Sequence, residues 1–432
     1  MNDMQNAWRL EKTGRVWWAL FCCLMVAGSA YASQTEQDEY TQYELLAPET
    51  ASFKITYEVT ATTLGAKMFW NPIRKGSTAS DEAVFDVMTG AALKFAQVNG
   101  ATAKEHGLTD ADPASDYIEV QLARPVPSDG GQARLRIIKT YKDAKSYRRE
   151  GNAIVFERPL GIRRNAIVLP RGYWLAECNV PSQVLSDPDG RIRISFMHQA
   201  PGEAALKIKA QPGAQTGDGA KPRALTNARS WESPPKEGAT ERERLVERAH
   251  QDRDIVYFLQ QPETHTFKLY HDYTESHEGA DKYLNVVRAG SKVSEPSGKI
   301  LDTGEMMKTQ VLTGAELKKA GIDAGEEKVA PDQQVVVFRF SPNKKGQSLR
   351  LRMRETYTAP ECYRLEGDEM VFDRSFGRPR DAIVLPSGWY LTALAIPGVI
   401  TQTPDGLTRI DFVNGEPDEV AVLLKAKKLA RR

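Results

Sequence analysis

Ala166-Ile167-Val168-Leu169-Pro170 recurs as Ala382-Ile383-Val384-Leu385-Pro386, 216 positions later (386 − 170). Pro48-Glu49-Thr50 with Phe53-Lys54 recurs as Pro262-Glu263-Thr264 with Phe267-Lys268, 214 positions later (262 − 48). The chain therefore reads as two copies of one folding unit, 43–212 and 257–432. A repeat of this length sets the architecture before any motif is considered.

Within each copy the apolar period is two. Phe53, Ile55, Tyr57 and Val59 alternate with Lys54, Thr56, Glu58 and Thr60, the pattern of a half-buried strand. Leu135 and Ile137 alternate with Arg134 and Arg136, as Leu351 and Met353 do with Arg350 and Arg352. Ile192, Ile194 and Phe196 alternate with Arg191, Arg193 and Ser195. Pro188-Asp189-Gly190 and Pro404-Asp405-Gly406 suit hairpin connections. One short helix per copy is expected, 101–106 and 315–320, ended by Gly107 and Gly321.

These patterns predict an all-β chain, a tandem duplication of antiparallel β-sandwich units. Two units per copy are expected, 43–140 and 141–212, then 257–356 and 357–432. Between the copies, 213–256 combines a Gly- and Pro-rich linker with a charged helix from Thr240 to Asp254, opened by a Thr240/Glu243 capping box.

The first 32 residues read as an export signal. Arg9, Lys12 and Arg15 precede the apolar run Val16 to Val26, and Ala30 and Ala32 match a signal-peptidase site near Ala32. That run is short for a span of ~20 residues, so a secreted or periplasmic protein without membrane insertion after cleavage is expected. Removing residues 1–32 leaves 55 basic and 55 acidic side chains (58 − 3 and 57 − 2). This balance gives no lean toward nucleic acid. Cys178 and Cys362 then remain, and two buried thiols are expected rather than a bridge between the copies.

Catalytic signatures are missing: there is no Gly-rich phosphate loop, His-Glu-x-x-His, Cys-x-x-Cys or Gly-x-Ser-x-Gly. No cofactor or metal is implied. His265, His271 and His277 are six apart, about 20 Å per step along a strand, too far to share an ion. His271 takes the place of Tyr57 and is expected to be half-buried. The ligand-binding candidates are repeated features. Tyr173-Trp174 and Trp389-Tyr390 each follow a Gly, and one ring of each pair should face outward and could stack on a sugar. Asn71, Arg74, Gly76, Ser77 and Ser80 recur as Asn285, Arg288, Gly290, Ser291 and Ser294. That set suits an anion-presenting turn, or a plain turn whose Arg finds a carboxylate. Arg148, Glu150, Glu157, Arg158 and Arg164 recur as Arg364, Glu366, Asp373, Arg374 and Arg380. Interleaved opposite charges point to cross-strand ion pairs, although a carboxylate pair also admits a hydrolase.

The function expected from sequence is a secreted, non-enzymatic binding or scaffolding protein of a bacterial-type cell envelope, with a protein or glycan partner. A carbohydrate-binding protein using its exposed aromatics and a hydrolase with an unrecognised carboxylate site are the alternatives. Two copies suit a binder, since linked sites gain avidity.

Overall fold

The computed structural model describes residues 34–213, 252–325, 328–416 and 419–429. Residues 1–32, expected as an export signal, and 214–251 of the expected linker and charged helix lie outside the described residues. Arg253 and Asp254, expected at the end of the charged helix, instead open a strand. Ile255, Tyr257 and Leu259 give that segment a period of two, and they point into a core.

In the first half the elements are β1 (Glu36–Leu45), β2 (Ser52–Ala61), β3 (Met68–Ile73), β4 (Thr78–Asp86), β5 (Phe95–Asn99), α1 (Gly100–Glu105) and β6 (Asp116–Gln121). There follow β7 (Ala133–Lys142), β8 (Tyr147–Glu150), β9 (Ala153–Leu160), β10 (Arg164–Val168), β11 (Tyr173–Cys178), β12 (Gln183–Ser186), β13 (Ile192–Met197) and β14 (Ala204–Pro212). The second half opens with β15 (Arg253–Leu259), β16 (Thr266–Glu275), β17 (Lys282–Val286), β18 (Lys292–Ile300), β19 (Met306–Thr313), α2 (Gly314–Lys319) and β20 (Gln334–Arg339). It closes with β21 (Leu349–Thr358), β22 (Tyr363–Glu366), β23 (Glu369–Phe376), β24 (Arg380–Val384), β25 (Trp389–Leu394), β26 (Val399–Gln402), β27 (Thr408–Val413) and β28 (Val420–Lys428). The fold is all-β, and the order of elements is the same in both halves.

The first half holds a seven-stranded sheet, β12-β13-β10-β1-β2-β7-β4, a four-stranded sheet, β11-β14-β9-β8, and a three-stranded sheet, β3-β6-β5. In the second half, β18 and β19 join the matching pieces into one ten-stranded sheet, β17-β20-β19-β18-β21-β16-β15-β24-β27-β26. A four-stranded sheet, β22-β23-β28-β25, packs with it.

Two expectations need correction. The large sheets are not antiparallel throughout, because β1 runs parallel to β10 and β15 parallel to β24. The chain between each such pair is long enough for the crossover that parallel strands need. The expected boundaries at Tyr141 and Tyr357 fall inside β7 and β21. Since β1 sits between β2 and β10, strands from both sides of each boundary share one sheet, and each half is one folded body.

Each core is built around an arginine boxed in by rings. Tyr43, Phe53 and Tyr141 lie around Arg158, whose guanidinium is 5.6 Å from the Phe53 ring and donates to Asp143 at 3.1 Å, and Phe156 packs on Tyr43 and Phe53. Arg374 likewise lies over Tyr257 and Phe267, 5.6 and 5.5 Å from their rings, with Tyr357 and Phe372 packed on those rings. Edge and offset ring pairs of this kind add about 0.5–1.5 kcal/mol each beyond their burial.

The halves are tied together by matching parts of each. Arg134, at the start of β7, donates two bonds to Asp302 at 2.7 and 2.9 Å, and Asp302 is fully buried. Arg124 donates to the Asp302 carbonyl, and Lys299 bonds Asp129. The Gln132 N–H donates to Leu301 O and the Ser348 N–H to Met88 O. The junction explains the burial of Arg134, which faces the second half, while Arg350 pairs with Asp252, an acid that Arg164 of the first half approaches to 3.9 Å. Cys178 and Cys362 are free and half-buried, their Sγ atoms near Val180 O and Ala359 O.

Candidate functional site

The repeated features settle into different places. Gly172 and Gly388 both have positive φ and turn the chain into β11 and β25, which are edge strands of the four-stranded sheets. Trp174 and Tyr390 point outward, 48% and 43% exposed. Tyr173 is half-buried against the first core. Trp389 is buried, its Nε1 donating to Gln261 at 3.0 Å and Lys428 lying 5.9 Å over its ring.

The Gly-Ser segments are tight turns: the Ser77 N–H donates to Arg74 O, the Ser291 N–H to Arg288 O, and Gly76 and Gly290 have positive φ. Arg288 bonds Glu419 at 2.7 Å and Ser375 O at 3.0 Å, while Arg74 is exposed. Glu157 pairs with Arg148 at 2.7 Å, and Arg148 and Arg364 pair with Glu150 and Glu366. Asp373 is exposed. His271 is fully rather than half buried, because β18 and β21 extend the sheet beside β16 and Tyr273 and Tyr283 close over the ring. Burial, aided by Arg378, Arg253 and Arg350, holds its pKa well below the ordinary value.

A different site emerges on the outer face of the ten-stranded sheet. Strand pairing sets its side chains in rows. One row runs Asp411, Ala382, Val256, Tyr270, Arg354, and the next runs Arg409, Val384, Phe258, Lys268, Thr356. Beside them lies the row Arg380, Asp254, Asp272, Arg352. The middle of this face is an apolar platform in which Phe258, Tyr270 and Leu407, all half-buried, pack on Val256, Ala382 and Val384. Its rim is charged, with Arg380 bonded to Asp254 at 2.8 Å, Arg352 to Asp272 at 2.7 Å and Arg409 to Asp411 at 2.7 Å. The bond to Asp411 raises the Arg409 pKa. Burial, with Asp254 and Asp272 adding to it, raises that of Tyr270. Arg163, Lys268 and Arg354 have no ion-pair partner among the described residues and are exposed.

Two hollows flank the platform and share Tyr270. A groove of about 450 Å³ runs past Phe258, Lys268, Tyr270 and Arg354. A cleft of about 90 Å³ lies between Asp254, Arg380 and Arg409 on one side and Arg163, His198 and Gln199 of the first half on the other.

The first half does not repeat this surface. At the positions of Val256, Phe258 and Tyr270 its strands hold Gln42, Glu44 and Thr56. There Glu44 pairs with Arg191 at 2.5 Å and Gln42 with Arg193 at 2.6 Å. The second half replaces the Glu44–Arg191 pair by Phe258 and Leu407, a coordinated change from ion pair to apolar contact (258 − 44 = 214; 407 − 191 = 216).

Among the described residues there is no group of three or more His, Cys, Asp or Glu placed to hold a metal, and no helix long and apolar enough to cross a membrane. No family model matches the chain, and no curated protein matches it. Solved structures with some likeness include an M1 zinc metallopeptidase from Deinococcus radiodurans, 12% identical with a TM-score of 0.28, covering 41% of this chain and 42% of that one. An aminopeptidase N family protein from Idiomarina loihiensis is 8% identical with a TM-score of 0.25, covering 40% and 29%. A collagen adhesin from S. aureus is 6% identical with a TM-score of 0.17, covering 79% and 84%. The chain thus spans about two fifths of the Deinococcus enzyme's length. Scores this low carry no argument about function.

Proposed function

We propose that this chain is a non-enzymatic binding or scaffolding protein that acts outside the cytoplasm, in a bacterial-type cell envelope or beyond. The observation that supports this reading is the apolar platform with its charged rim on one half only. Contiguous apolar surface ringed by polar groups marks interaction sites in soluble proteins. The matching face of the first half folds with polar residues, so the fold itself does not require the apolar ones. The test is retention from an envelope extract on the immobilised chain. Wild type should hold a stoichiometric protein or polysaccharide, and a Phe258→Glu/Tyr270→Thr variant, carrying first-half residues, should lose it while melting as wild type does. A wild-type chain that retains nothing would end the proposal.

A second reading rests on Trp174 and Tyr390, exposed at matching positions on edge strands. Exposed rings suit stacking on sugars. It predicts that Trp174→Ala and Tyr390→Ala each weaken retention on a polysaccharide array with no loss of stability.

A further inference from the structure

We propose that the platform of the second half binds an acidic oligosaccharide, an inference that rests on the binding reading above and names its ligand class. Three features of one surface carry it. The half-buried Phe258 and Tyr270, ring centroids 6.0 Å apart and tilted 43° to each other, rest on buried Val256, Ala382 and Val384, with the Arg352 guanidinium 4.5 Å over the Tyr270 ring; their free ring surface is of the sort that covers the C–H face of a pyranose. Around the platform, Arg380–Asp254, Arg352–Asp272 and Arg409–Asp411 set donors and acceptors side by side. Vicinal hydroxyls, each both donor and acceptor, need that alternation.

The groove also holds the exposed Glu295, so the charge for carboxylates on the ligand comes from the surplus of Arg163, Lys268 and Arg354 over that one acid. An acidic peptide would meet the same cations, but its side chains offer no vicinal hydroxyls to the paired donors and acceptors of Arg380–Asp254, Arg352–Asp272 and Arg409–Asp411. The groove and the cleft lie on the same face and share Tyr270 as a lining residue, and on this proposal a ligand longer than one ring crosses the strands past that side chain. It reaches Arg163 of the first half, and the site therefore needs both halves.

The experiment is titration calorimetry on the mature chain at low ionic strength, with the hexamer of galacturonic acid, with neutral maltohexaose and with hexaglutamate. The galacturonate hexamer should bind, and the other two should bind at least about tenfold more weakly, a difference of ~1.4 kcal/mol. Lys268→Ala combined with Arg354→Ala, both on the exposed face, should weaken binding by a similar factor, and added salt should weaken it further. Tyr270→Thr should weaken it too; if that variant unfolds, the double cation variant decides. Absence of binding by the galacturonate hexamer, equal binding of hexaglutamate, or indifference to the double cation variant would overturn the inference. A chain that retains an envelope protein yet binds no galacturonate leaves the binding function standing and removes only its acidic-saccharide ligand.

Discussion

Lys139 and Glu355 occupy one register position in the two halves, opposite Ile55 and Leu269, and both are buried. Each is met by the same asparagine of the repeat. Asn71 accepts from Lys139 through Oδ1, and Asn285 donates to Glu355 through Nδ2 at 2.5 Å. An amide carries a donor and an acceptor, so it serves either charge. Burial pushes Lys139 down to about 7, with Arg158 adding to the effect and Glu82 opposing it. Burial pushes Glu355 up to about 7 against its bonds from Asn285 and Tyr357. From pH 7 to its ordinary 10.5 the unfolded chain binds a proton that folded Lys139 refuses, so stability rises with pH there. From 4.5 to 7 folded Glu355 keeps a proton that the unfolded chain has lost, so stability falls with pH there. Lys139→Met should flatten the alkaline rise and Glu355→Gln the acid-side fall, read as urea midpoints against pH. Slopes unchanged in both variants would show that these groups do not titrate as described.

At the scale of the elements, β11 and β25 show how strand alternation and edge position divide similar residues. Trp389 lies inside with its N–H satisfied, whereas Trp174 lies outside on the edge. Trp389→Ala should cost about 3–5 kcal/mol of stability, and Trp174→Ala about 0.5 kcal/mol or less, both measured by denaturant unfolding. Equal effects would place the rings wrongly.

Alternation, turn residues and capping glycines make the strands and both short helices legible in the sequence. Burial of Arg134 and Arg350 is not, because period two separates two faces without saying that the polar face meets the other half. Nor is the parallel pairing of β1 with β10, which depends on a contact across more than a hundred residues. The platform is invisible to a search for matching positions because its signature is mismatch. Glu44 and Arg191 change together to Phe258 and Leu407, and that paired change was present in the sequence all along.

For the whole molecule, the buried Arg134–Asp302 pair stands among the contacts that tie the two halves together. Asp302→Ala leaves the Arg134 charge buried and unpaired and should cost about 3–5 kcal/mol. Calorimetry should then show two separated transitions in place of one, and a single unshifted transition would argue that the halves are coupled elsewhere. The junction of the halves builds the cleft, because Arg163 and His198 come from one half and Arg380 and Asp254 from the other. On the binding function proposed above, the repeat is the scaffold and the ligand sits where the halves differ.

Hydroxyl-radical footprinting of the chain, with and without the partner it retains from an envelope extract, tests this most directly. The account predicts that oxidation of Phe258 and Tyr270 falls when the partner is bound while Trp174 and Tyr390 stay as reactive as before. Protection of Trp174 and Tyr390 with Phe258 and Tyr270 unchanged would contradict it.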